Sequence, residues 1–127
     1  KKIKYLISLC KTKLKKRGKI LIFTLETSQN EIPAFLLMKK MLKKSLIRDK
    51  KIINFLTGIY SGIKKKNFLF RVKIPKKKYI KMIENRYIST LLNLNSNEIS
   101  KGVDEINYKY EKILSFNDKL ICIILQK

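Results

Sequence analysis

The chain has 127 residues, of which 31 are Lys or Arg against 9 Asp or Glu, for a formal net charge of +22; 45 % are hydrophobic. That is enough apolar material for one folded domain, so wholesale disorder is excluded, while a body this basic repels itself unless a polyanion, either nucleic acid or an anionic membrane surface, neutralises it. With no histidine in the chain, triad hydrolases and histidine-dependent zinc sites are excluded as well.

In chain order, Ile3, Leu6, Ile7, Cys10 and Leu14 recur at helical spacing over residues 3 to 16, with lysines on the other faces. This is an amphipathic helix, which Arg17-Gly18 should end through a left-handed cap. Lys19 to Leu25 is a continuous apolar run and reads as a strand buried on both faces. Thr27, Ser28 and Asn30 offer N-caps, Glu31 and Pro33 suit a first turn, and Phe35, Met38 and Leu42 share the face of a second helix ending near Ile47. Lys51 to Leu56 reads as a second strand, closed by turns at Thr57-Gly58 and Ser61-Gly62. A strand from Phe68 to Val72 precedes Pro75 and a basic helical stretch holding Tyr79, Ile80, Ile83 and Tyr87. Thr90 to Leu94 reads as a strand. Asn95 with Glu98 resembles a capping box opening a helix that carries Ile99, Val103, Ile106 and Tyr110, and Lys112 to Phe116 reads as the next strand. Alternating helices and strands with long connections predict a mainly parallel sheet flanked by helices on both faces, in a single α/β domain.

An α/β sheet invites a nucleotide reading, but neither GxGxxG nor GxxxxGK[ST] occurs, and Thr24-Leu25-Glu26-Thr27-Ser28 follows the first strand without a glycine. No cofactor and no small-molecule substrate are expected. The one adjacent carboxylate pair, Asp104-Glu105, falls on a helix where successive positions diverge, so it reads as surface charge and dipole complement. Cys10 and Cys122 match no metal spacing and sit in apolar runs, as buried reduced thiols would. No apolar stretch approaches the ~20 residues of a membrane span, so an integral membrane protein is not expected. The chain begins with Lys1 rather than Met, and an upstream segment is expected.

The basic residues cluster. Lys11, Lys13, Lys15, Lys16 and Arg17 form one group, Lys39 to Lys44 a second, Lys64, Lys65 and Lys66 a third, and Lys76, Lys77 and Lys78 a fourth. Spread over a folded body, such groups grip phosphates, and lysine, a hydrated point charge, follows a backbone better than it reads bases. The first, third and fourth groups are the candidate RNA contacts. Tyr5, Tyr60, Tyr79, Tyr87, Tyr108 and Tyr110 could stack on unpaired bases, although helical spacing favours packing.

Three stretches in order resemble the ribosomal protein S-two family of the small subunit, in a reduced organellar form. GKILIFTLETSQNEI, from Gly18 to Ile32, is similar to the family's GKILFVGTKxxAxxxI. Phe55 to Gly62 lines up with W-x-G-G-x-L-T-N, with Phe55 at the tryptophan, Gly58 at a glycine and Gly62 at the asparagine. Leu91 to Asp118 resembles the passage from the D-P strand end through the K-E-A helix to the V-D strand end, with Asn95 and Ser96 at D-P, Glu105 at the glutamate and Asp118 at the final aspartate. The resemblance implies a Rossmann-like parallel sheet without nucleotide chemistry, which needs residues 19–25, 51–56, 90–94 and 112–116 as parallel strands. It also implies a place at the head–body junction of the small subunit, against rRNA and neighbouring ribosomal proteins, and the absence of the family's N-terminal portion. An AT-rich coding bias, with Lys over Arg and many Ile and Asn, points to an organelle, and the expected location is the mitochondrial ribosome. The expected function is that of a structural, non-enzymatic ribosomal component. The alternatives are another basic mitoribosomal subunit and a peripheral membrane or respiratory-complex subunit using the first helix on anionic lipid.

Overall fold

The structure, a computed structural model, describes residues 2–27 and 30–127; Ser28, one of the three expected caps, lies outside them. The elements are α1 (Lys2–Lys13), β1 (Lys19–Leu25), α2 (Leu36–Ile59), β2 (Lys64–Pro75), α3 (Lys76–Glu84), a 3-10 turn (Ser89–Asn93), α4 (Ser96–Lys109) and β3 (Ile113–Gln126). The strands form one sheet in the order β1-β3-β2, with both pairings antiparallel. This overturns the parallel, Rossmann-like sheet. β1 and β2 do run parallel to each other, joined by α2, but β3 returns between them instead of joining at an edge. Helix and strand alternation cannot distinguish the two arrangements, because where the last strand inserts is decided by tertiary packing.

Two expected strands are helical. Lys51 to Leu56 continues α2, because Ile53 and Leu56 extend the buried stripe begun by Met38 and Leu42. An isolated apolar run of that length suits either state, and here the helical phase of its neighbours decides. Thr90 to Asn93 lies in the 3-10 turn and Leu94 caps it; Leu91 and Leu94 are three apart, the period of that helix, and both are buried. Conversely, the strand expected at Lys112 to Phe116 runs on as the single long β3, which starts at Ile113 and passes straight through Asn117-Asp118 to Gln126. Glu31 steadies that passage, since Asn117 donates from its backbone N–H (3.2 Å) and from Nδ2 (3.0 Å) to Glu31 Oε2.

Helix ends also differ from expectation. Arg17, not Gly18, takes the left-handed conformation, at φ 64°. Gly18 is needed for closeness instead, because a Cβ there would sit 2.9 Å from the Lys15 carbonyl oxygen. α2 starts later than its cap signals suggest, at Leu36, and its N-cap residue Phe35 makes no side-chain cap. Its first free N–H is met from outside, by Glu105 Oε2 at 2.8 Å from Leu36 N, so the α4 carboxylate complements the dipole of a different helix. The Asn95–Glu98 capping box forms as expected, with both bonds at 2.9 Å.

Neither strand pairing contains a bulge, so the register fixes which residues share a face. On one face, here the front, lie Leu21, Phe23 and Leu25 of β1, the even-numbered residues of β3 and those of β2. Ile20, Ile22, Ile121, Ile123 and Leu125 lie on the back. The larger core packs Phe35, Met38, Tyr79, Ile83, Leu91 and Ile106 with Leu114 and Phe116, on the front of the sheet at one end. The smaller packs Ile7, Ile53 and Leu56 against Ile121, Ile123 and Leu125, on the back at the other end. α2 feeds both. The diagonal arrangement leaves the front of the sheet bare over Leu21 and Phe23, which are 53 % and 56 % exposed. β1 is therefore not buried on both faces.

Candidate nucleic-acid interface

The antiparallel register brings two of the three candidate lysine groups to one end of the sheet. β1 and β2 begin there and β3 ends there, with Lys19 opposite Gln126 and Lys64 opposite Ile124. The α1–β1 loop carrying Lys15, Lys16 and Arg17 is tied to the same end. The Lys127 N–H donates to the Gly18 carbonyl at 2.9 Å, and Lys127 Nζ to the Leu14 carbonyl at 2.7 Å. Lys13, Lys15, Lys16, Arg17, Lys64, Lys65 and Lys66 are all exposed. Lys19, Lys64 and Lys66 line a concavity of about 180 Å3 with Gly62, Ile124 and Gln126. Lys11 is half-buried, its ammonium 4.6 Å from the centre of the Tyr60 ring, a cation–π contact that joins α1 to the end of α2.

The fourth group lies apart. Lys76, Lys77 and Lys78 open α3 at the far end of β2, about 36 Å from Lys64 at the usual strand rise. Lys76 serves the fold: its Nζ donates to the carbonyls of Asn107 (2.9 Å) and Tyr110 (2.8 Å), which are orphan acceptors at the end of α4. Lys77 and Lys78 remain exposed. Lys39 and Lys43, on α2, border a separate 440 Å3 cleft with Lys109 and Tyr110.

The tyrosines are mostly engaged in packing. Tyr79 is buried, donates to the Pro33 carbonyl and lies 3.0 Å from the Tyr87 hydroxyl, and burial pushes both phenols up from their ordinary value. The Tyr110 hydroxyl accepts from the Ala34 N–H at 3.2 Å. Tyr5 and Tyr108 stand in solvent. The aromatic residues that do face the basic end are phenylalanines that the sequence patterns did not single out: Phe23 and Phe68 with ring centres 6.1 Å apart, and Phe68 and Phe70 at 6.4 Å. The signal for them is the period-two series Lys64, Lys66, Phe68, Phe70, which places alternate residues of a strand on one side.

Both cysteines are free thiols; Cys122 is buried and Cys10 half-buried. Among the described residues, no group of three or more Cys, Asp or Glu side chains is placed to hold a metal ion. No helix among them is long and apolar enough to cross a membrane. Compared with known proteins, the chain matches no protein-family model and no curated protein sequence.

Proposed function

We propose that this protein is a structural, RNA-binding component of an organellar ribosome, holding rRNA of the small subunit through the lysine-rich end of its sheet. The observation that carries the reading is the convergence of Lys13 to Arg17 with Lys64 to Lys66 at that end, on a chain of net charge +22. Exposed cations grouped on a rigid edge are arranged to follow a phosphate backbone, and each phosphate neutralised releases counterions. The mitochondrial setting rests on the coding bias, and the ribosomal setting on lysine clusters spread over a folded body, the arrangement that grips rRNA phosphates. The antiparallel sheet speaks against S-two itself, whose architecture needs parallel strands at 51–56 and 90–94, and leaves another basic mitoribosomal subunit as the reading. The head–body address, which came with the family, is accordingly not part of the proposal.

The test is sedimentation of organelle lysate. The reading expects the protein with the small subunit at low salt and released at high salt; a protein found only in a free or membrane pool would refute it. Replacing Lys13, Lys15, Lys16 and Arg17 together by Gln should weaken incorporation, and unchanged incorporation would remove that cluster from the site.

A further inference from the structure

The bare front of the sheet adds a second kind of contact. From the basic end inward, its rows read Lys19 and Gln126, then Leu21, Ile124 and Lys64, then Phe23, Cys122 and Lys66, then Leu25, Leu120 and Phe68, and last Asp118 and Phe70. Phe23 and Phe68 lean toward each other across β3 and bury Cys122 beneath them. Phe70 stands parallel to Phe68, within 2°, and is 52 % exposed. Beyond it the face is closed, because Leu114 and Phe116 belong to the larger core.

We infer that this face is a stacking platform for single-stranded RNA, with unpaired bases on Phe23, Phe68 and Phe70 and the flanking phosphates on Lys19, Lys64 and Lys66. The inference rests on the RNA-binding reading above and adds the form of RNA bound. Exposed aromatics grouped on a rigid sheet mark an interaction face, not a packing surplus. Charge selects the occupant. Lysines alternate into the same strand row as the rings, whereas the centre of a protein-binding patch is depleted of lysine. A duplex offers its phosphates but hides its base faces, so only unpaired nucleotides engage both halves of the row. Phenylalanine has no hydrogen-bonding group to read a base edge, so the platform tolerates any sequence.

The experiment measures fluorescence anisotropy of a labelled RNA of about ten nucleotides without self-complementarity, beside an RNA duplex, against the wild-type chain and F23L/F70L. Leucine keeps the apolar cover over Cys122, and thermal melts of both proteins check that the fold is kept. The double variant should lose about 5- to 150-fold in single-strand affinity per stacked base, with its salt dependence and duplex binding unchanged. Phe70→Tyr, which keeps a π face, should bind like wild type. K64Q/K66Q should instead lower the log–log salt slope by roughly 0.7 for each phosphate no longer neutralised. If wild type binds RNA and F23L/F70L binds the single strand equally well, the platform is wrong and the phosphate-gripping end stands. Equal losses on single strand and duplex would also overturn the platform. If wild type binds neither RNA, both readings fall.

Discussion

The two ends of the sheet use the same residue types in opposite ways. At the end built from α3, the 3-10 turn and α4, polar groups are spent on the fold: Lys76 closes the α4 carbonyls, Glu105 meets the first N–H of α2, and Tyr79 holds the Pro33 carbonyl. At the other end only Lys127 is spent in this way among the lysines named, on the Leu14 carbonyl, while Lys13, Lys15, Lys16, Arg17 and Lys64 to Lys66 project into solvent from the end of α1, the loop after it and a strand start. A lysine run takes its meaning from the backbone it lands beside. Where a helix terminus leaves carbonyls unpaired, an ammonium becomes a cap; where strands begin side by side, the charges stay available to a ligand.

That contrast can be broken most forcefully in the larger core. Gly102 lies on α4 with the Phe35 ring so close that a Cβ would sit 2.6 to 2.7 Å from its carbons. Gly→Ala inside a helix is ordinarily favourable by roughly 0.5–1 kcal/mol, but Gly102→Ala should cost about 1–3 kcal/mol through overpacking, read as a lower denaturant midpoint. RNA affinity of the folded fraction should be untouched. Tyr79→Phe leaves the buried Pro33 carbonyl without its donor and should cost about 1–2 kcal/mol by the same measurement.

Lys76 and Lys77 sharpen the contrast within one run. Lys76→Met should lower stability by about 1 kcal/mol, whereas Lys77→Gln should leave the melting curve in place. Equal effects would erase the distinction between a capping and a free lysine. The smallest effect concerns Glu31. Its bond from Lys119 (2.7 Å), with help from Asn117, holds the carboxyl below its ordinary value. A lowered folded value means that its contribution is complete above the ordinary glutamate pKa of about 4.5 and fades as the pH falls through the folded value. Denaturation in acid should therefore show a slightly smaller gap between wild type and Glu31→Gln than at neutral pH. Because the group is exposed, the effect is small.

Local signals are legible in the sequence where they are self-contained. The strand at Lys19–Leu25 and the Asn95–Glu98 capping box lie where a continuous apolar run and cap chemistry put them. Signals that depend on a distant partner are not. The run at 51–56 is helical because Met38 and Leu42 set its phase, and the sheet is antiparallel because β3 inserts between two strands that both lie far from it along the chain. Of the site, the lysines are visible as clusters, but their convergence needs the register, which sets Lys64 across from Ile124 and so at the end of the sheet where β1 also begins. The phenylalanines stay hidden because Phe23 sits inside a run that reads as fully buried, and because apolar content alone starts β2 at Phe68, which cuts Lys64 and Lys66 from the row.

The central claim is that one end of this sheet grips RNA phosphates. Its most direct test is the salt dependence of single-stranded RNA binding for wild type and for a variant with Lys13, Lys15, Lys16, Arg17, Lys64, Lys65 and Lys66 changed to Gln. The account predicts a steep wild-type slope, flattened in the variant by roughly 0.7 for each phosphate left unneutralised, with the melting curve unchanged. An equal slope in the two proteins would contradict it.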